Sequence, residues 1–155
     1  MKGNEKILER LSQLLADELT AINQYMVHAE MCDDWGHEEL DEAIEARAIT
    51  EMKHAEKLIG RILFLEGKPI VSSLNPIHIG ADVAAQLEND WEAEHGAIAA
   101  YNEGIRLAVE VGDDGTREVL ESILVDEEDH IDWIEAQQDQ IAQMDIEIRL
   151  SHQLS

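Results

Sequence analysis

The chain has one cysteine, two prolines, three tryptophans, two tyrosines, one phenylalanine and only 11 basic residues against 35 acidic ones. Each shortage excludes something. A lone Cys32 rules out an internal disulfide and fits a reducing compartment. The net charge of −24 argues against nucleic acid and anionic membrane as partners. No apolar run approaches the roughly 18 residues of a membrane span. The opening Met1-Lys2-Gly3-Asn4-Glu5 passes straight into an amphipathic pattern without signal-peptide features, so a cytoplasmic location is expected. Acidity does not imply disorder here, because a hydrophobic share of 45% is normal for a folded chain. The 155 residues suggest a single domain, 1–155, with room for a core.

Both prolines, Pro69 and Pro76, fall in one stretch from about 67 to 80, and almost everything else reads as helix. The expected helices cover about 4–34, 38–66, 82–111 and 116–144. Gly36, Gly67 and Gly112 act as stops. Apolar residues step by three or four along each: Leu11, Leu14 and Tyr25 in the first; Ile44, Leu58 and Leu65 in the second; Leu87, Ile98 and Tyr101 in the third; Leu120, Ile123 and Ile134 in the fourth. The proline-containing stretch is too long for a tight turn and suits a crossover along a four-helix bundle. A short tail at about 146–152 is expected to form a fifth helix. The fold class is therefore all-α.

Glutamates interrupt these apolar stripes. Glu51-x-x-His54 and Glu127-x-x-His130 each place a carboxylate and an imidazole on one helix face. Glu18 and Glu94 precede the two pairs by equal distances, and the whole set repeats with an offset of 76 residues. The same offset carries Tyr25 onto Tyr101 and Gly36 onto Gly112, as expected for two helical hairpins about a pseudo-twofold axis. One Glu from each of two helices and one Glu-x-x-His from each of two others is the general ligand pattern of dinuclear carboxylate proteins. A single Glu-x-x-His in an acidic helix means little; two, each with an equally spaced glutamate, are hard to reach by chance. Four buried carboxylates need cations between them, and two divalent ions balance them. Oxygen and imidazole donors suit iron or manganese and tolerate zinc or cobalt. The repeat assigns Glu18 and His54 to one ion, Glu94 and His130 to the other, and Glu51 and Glu127 to bridges.

A second apolar row, Leu15, Leu19, Ile22 and Met26 on the first helix with Ile49, Met52, Ile59 and Leu63 on the second, leaves an outer face apolar. Such a face predicts a partner, most simply a twofold copy. From spacing alone, Met52 is packing.

Several stretches resemble bacterioferritins: Asn23-Gln24-Tyr25, Trp35-Gly36, Glu51-Met52-Lys53-His54-Ala55, residues 61–67, and Asp126-Glu127-Glu128-x-His130-Ile131-Asp132. The second Glu-x-x-His distinguishes the pattern from classical ferritins, and the Met of Glu-Met-x-His is its most specific mark. The resemblance implies a ferritin-like bundle in a 24-subunit homo-oligomeric shell built from twofold dimers. It implies ferroxidase activity, with Fe(II) oxidised by O2 or H2O2 at two iron ions per subunit and stored as ferric mineral. It also implies Met52 as axial ligand of a haem b, one methionine from each of two subunits, with a ferredoxin as reductant for iron release. Tyr25 matches a tyrosine that donates an electron near the iron site; its plain reading is a core aromatic. The chain departs from the family at Ala46 and Thr50, where some members carry His and Asp that bind a further iron. Arg47 replaces a usual Glu, and an arginine beside four carboxylates is an ion-pair candidate. Glu45 replaces an aromatic near the haem. His28 is expected as a hydrogen-bonded core residue, and His37, His78, His95 and His152 as surface or loop residues. The alternative readings are a dimeric di-iron oxidase or peroxidase that stores nothing, and a non-catalytic haem or metal binding module.

Overall fold

The computed structural model describes residues 1–154. Four helices form in order: α1 Glu5–Asp34, α2 Glu38–Phe64, α3 Val83–Val111 and α4 Asp114–Leu154. Local chemistry sets their ends. Asn4 caps α1 by accepting from the amides of Lys6 and Ile7, and Asp82 caps α3 by accepting from Ala85. Asp113 accepts from the Thr116 amide at the start of α4. The repeat-related Gly36 and Gly112 both adopt left-handed backbone, at φ 86° and 74°, which lets the next amide return to a carbonyl of the preceding helix. At the end of α2 the left-handed residue is instead Glu66, at φ 62°. Gly67 is needed there for space, since a Cβ would meet the side chains of Leu8 and Ile62.

Packing follows the expected hairpins, α1 with α2 and α3 with α4, which then join through α1–α3 and α2–α4. The crossover leaves the end of α2, tied down where the Gly3 amide donates to the Leu65 carbonyl at 3.0 Å. It then climbs α1 one turn at a time. The Asn75 amide donates to Thr20 Oγ1, the His78 amide to Gln24 Oε1 and the Gly80 amide to His28 Nε2. His28 is the buried, hydrogen-bonded residue expected: its Nδ1 lies 2.9 Å from Asp90 Oδ1. Buried backbone needs such partners, and one polar row on α1 supplies them to a strand-free segment.

The main core gathers Leu11, Leu14, Leu58, Ile62, Leu120 and Ile123 with their neighbours. A smaller cluster of Tyr25, Ala29, Cys32, Ile44 and Ala48 lies towards the other end of α1. Leu15, expected on the outer row, is fully buried. The rest of that row is half-buried or exposed, with Met26, Ile49, Met52 and Leu63 all open to solvent. The tail 146–152 is helical, but it continues α4 without a break instead of forming the separate fifth helix expected, because no glycine or proline separates it. Its Ile146, Ile148 and Leu150 are exposed in the single chain. Among the described residues, no helix is long and apolar enough to cross a membrane.

Candidate dinuclear metal centre

Glu18, Glu51, His54, Glu94, Glu127 and His130 converge at mid-bundle, each at most 7% exposed. Ligand-type atoms of Glu18, Glu51, His54 and Glu127 lie within 4.8 Å of one another, and so do those of Glu51, Glu94 and His130. Glu51 is common to both groups. His54 Nδ1 stands 3.1 Å from Glu127 Oε1, 3.5 Å from Glu51 Oε2 and 3.6 Å from Glu18 Oε2. His130 Nδ1 stands 2.9 Å from Glu94 Oε1.

Glu18 Oε2, Glu94 Oε2, Glu127 Oε1 and both Nδ1 atoms are buried without a hydrogen-bond partner, and Glu51 Oε1 meets the Arg47 guanidinium at 2.7 Å. Unpartnered buried polar atoms are costly, and these five belong to the two groups whose donor atoms lie close enough to hold a metal ion. The other atoms of the same groups are held from behind. Tyr25 Oη donates to Glu94 Oε1 at 2.5 Å, and Tyr101 Oη donates to Glu18 Oε1 at 2.6 Å. Each tyrosine thus holds a carboxylate of the opposite half. His54 Nε2 lies 2.8 Å from Asp126 Oδ2, which places the proton on Nε2 and frees Nδ1 for a metal.

Charges in the metal-free site are shared unequally. Burial, then the neighbouring Glu51, pushes Glu18 well above the usual carboxylate range; burial and Glu127 do the same to Glu94. Burial also opposes ionisation of Glu51, but contacts with Glu18, His54 and Arg47 hold it down at about 2. Burial would lower His54, yet Glu127, Glu18 and Glu51 outweigh it and push the imidazole up to about 12. Burial keeps His130 below its ordinary value. Burial and the adjacent glutamates raise both tyrosines well above the phenol range, so both remain donors.

A cavity of about 640 Å³ reaches the site between α1 and α3. Asp17, Asn75, His78 and Glu92 line it with Glu18, Tyr25, Glu51, Glu94 and Glu127. Of the histidines set aside as surface or loop residues, His78 therefore borders this entrance. His95 stacks on Trp91 outside the six-residue cluster, with centroids 4.8 Å apart.

A ferritin-like domain family matches residues 8–144. Bacterioferritin from Rhodobacter capsulatus is 43% identical over 137 residues, 88% of this chain and 85% of that protein. Bacterioferritin from Brucella melitensis is 40% identical over 144 residues, 93% of this chain and 89% of its own. The chain belongs to the bacterioferritins. A solved structure of the Rhodobacter capsulatus bacterioferritin superposes with a TM-score of 0.91 at 41% identity, covering 92% of this chain and 89% of that one. That structure is described as having a metal-free dinuclear site and a haem iron.

As a bacterioferritin, the chain shares the family's iron-storage function. Its Met52 is 47% exposed, on an outer face with exposed Met26, Ile49 and Leu63. A thioether left open among apolar side chains is free to meet a planar apolar group. Two residues of the metal centre carried no signal as supports in the spacing. Asp126 was hidden beside Glu127, although a carboxylate on the same face as a ligand histidine of a facing helix is a standard support. Tyr101 was legible only as the repeat-mate of Tyr25. Arg47 was legible as an ion-pair candidate, and its partners are Glu51, Glu94 and Glu127.

Proposed function

We propose that Glu18, Glu51, His54, Glu94, Glu127 and His130 hold two iron ions, and that the protein oxidises Fe(II) there and stores the ferric product within a 24-subunit shell. The observation that carries this reading is the set of five buried, unpartnered donor atoms gathered in the two groups that share Glu51. Bound there, iron supplies the electrons, one per Fe(II) as it becomes Fe(III), and O2 or H2O2 accepts them.

The chain supplies the rest. Anionic oxygen donors favour the ferric over the ferrous state, which drives oxidation. Glu51, shared by both atom groups, and Glu127 across from it are the bridging candidates. The tyrosine hydroxyls fix the orientation of Glu18 and Glu94. Tyr25, in edge contact with His130 at 5.3 Å between ring centres, would donate an electron. The cavity between α1 and α3 gives Fe(II) a route, and Asp17 and Glu92 on its wall, with the −24 net charge, attract it. Met52 would ligate a haem b shared with a second copy, and that haem would pass electrons from a ferredoxin-like reductant to stored iron.

Aerobic addition of Fe(II) to the assembled protein should produce ferric absorbance faster than buffer does, and Glu51→Ala with Glu127→Ala should remove the gain. Equal rates for both proteins would overturn the ferroxidase reading. Light scattering tests the storage half, which a stable dimer at all salt concentrations would refute in favour of a small oxidase. Haem binding predicts a Soret band that Met52→Ala abolishes; its absence from protein made with ample haem would refute it.

A further inference from the structure

The two halves of the site are not equivalent, and Arg47 is the reason. It enters from α2 on the side where α2 meets α4, away from the cavity between α1 and α3. Its Nη2 lies 2.7 Å from Glu51 Oε1, 3.1 Å from Glu127 Oε2 and 3.9 Å from Glu94 Oε2. Its Nη1 donates to the Asp126 carbonyl at 3.0 Å. The guanidinium therefore sits against both bridging candidates, Glu51 and Glu127; of the two outer glutamates it reaches Glu94, at the edge of ion-pair range, and does not touch Glu18.

The 76-residue repeat shows what symmetry would have supplied. The mate of Arg47 is Ile123, an apolar residue buried in the core. The mate of Asp126, which braces His54, is Thr50, whose hydroxyl donates to the Ala46 carbonyl of its own helix. Among the described residues, no carboxylate braces the outer nitrogen of His130 as Asp126 braces His54. Both departures weaken the same half. One puts a fixed positive charge beside it, and the other leaves its imidazole without a carboxylate to raise its basicity. Arg47 makes these contacts through Nη1 and Nη2; its Nε is buried without a partner, a cost that offsets part of their gain.

We propose that Arg47 is a tethered counter-charge that competes with the second metal ion, so that the Glu18–Glu51–His54–Glu127 position fills first and the Glu51–Glu94–His130 position fills only as Arg47 withdraws. The proposal rests on the two-ion reading above. A divalent cation entering the second position meets a like charge within a few ångströms unless the guanidinium, whose side chain is 11% exposed, swings away. The metal-free site is meanwhile stabilised by the cation it carries.

Co(II) titration of the metal-free assembled protein, followed by visible absorption and calorimetry, tests this without any turnover. The native chain should bind one ion per subunit tightly and a second at least about tenfold more weakly. Arg47→Gln should tighten the second step by roughly ten- to a hundredfold, tighten the first by clearly less, and lower the melting temperature of the metal-free form. Should that variant fail to fold, Arg47→Lys asks the same question, because an ammonium cannot span both Glu127 and the Asp126 carbonyl; the gap should then narrow. Two equal steps in the native chain, or a gap that neither variant changes, would overturn the role of Arg47 while leaving the dinuclear site standing. No binding by either protein would overturn the dinuclear reading and this proposal with it.

Discussion

Removing the carboxylate of Asp126 should weaken the first metal step and spare the second. Asp126 Oδ2 lies 2.8 Å from His54 Nε2, and this contact selects the tautomer whose Nδ1 faces Glu18, Glu51 and Glu127. Losing the outer partner of a ligating histidine typically costs about 10- to 100-fold in metal affinity. The Asp126 side chain is 41% exposed, so water screens part of its charge and can replace part of its hydrogen bond. The lower part of the range follows, about 10- to 30-fold, or about 1.4–2 kcal/mol. Asp126→Ala should therefore shift the first Co(II) dissociation constant by that factor in calorimetry. Asp126→Asn, which keeps an oxygen acceptor but not the charge, should lose less, and the difference separates orientation from charge. Partial exposure also means the fold should survive both changes. An unchanged first step in Asp126→Ala would refute the argument that this contact prepares His54.

Three further outcomes follow from other parts of the chain. Metal binding must displace protons, because Glu18 and Glu94 are pushed above the usual range and His54 up to about 12; apparent affinity should rise with pH, and the calorimetric enthalpy should change with the ionisation heat of the buffer. Leu58→Ala should destabilise the subunit by about 2–5 kcal/mol, seen as a lower guanidinium midpoint, since Leu58 is fully buried in the main core. Burial would raise Asp113, but its contacts with Thr116 and Arg61 hold its carboxyl below the ordinary 3.8, so the stability it adds is present above that value and lost as pH falls through its lower folded one; Asp113→Asn should lower the melting temperature at neutral pH and cost progressively less on acidification.

Much of this was legible in one dimension because helical periodicity converts spacing into direction. Glu18, Tyr25 and His28 were placed on the inner face of α1 from their steps of three or four, and all three are buried there. The Gly36 and Gly112 stops were readable for the same local reason: a helix that ends in left-handed backbone favours glycine. Gly67 shows the limit, since the left-handed residue is Glu66 and the glycine answers to Leu8, a residue from another helix. Leu15 shows another: a stripe only one residue wide of the core edge is assigned to inside or outside by how closely the neighbouring helix approaches.

The repeated carboxylate and imidazole positions, the four helices and the crossover follow from the sequence by itself, because each depends on residues three, four or seventy-six apart along the same chain. Which atoms support the site was decided only in the folded molecule. Asp126 behind His54, Tyr101 behind Glu18, and Arg47 beside Glu51 and Glu94 join residues 72, 83 and 47 positions distant, respectively, except for the single turn between Arg47 and Glu51. A sequence repeat predicts equal halves, but electrostatics acts through space. One arginine that reaches Glu94 but not Glu18 breaks the symmetry of the repeated ligand set.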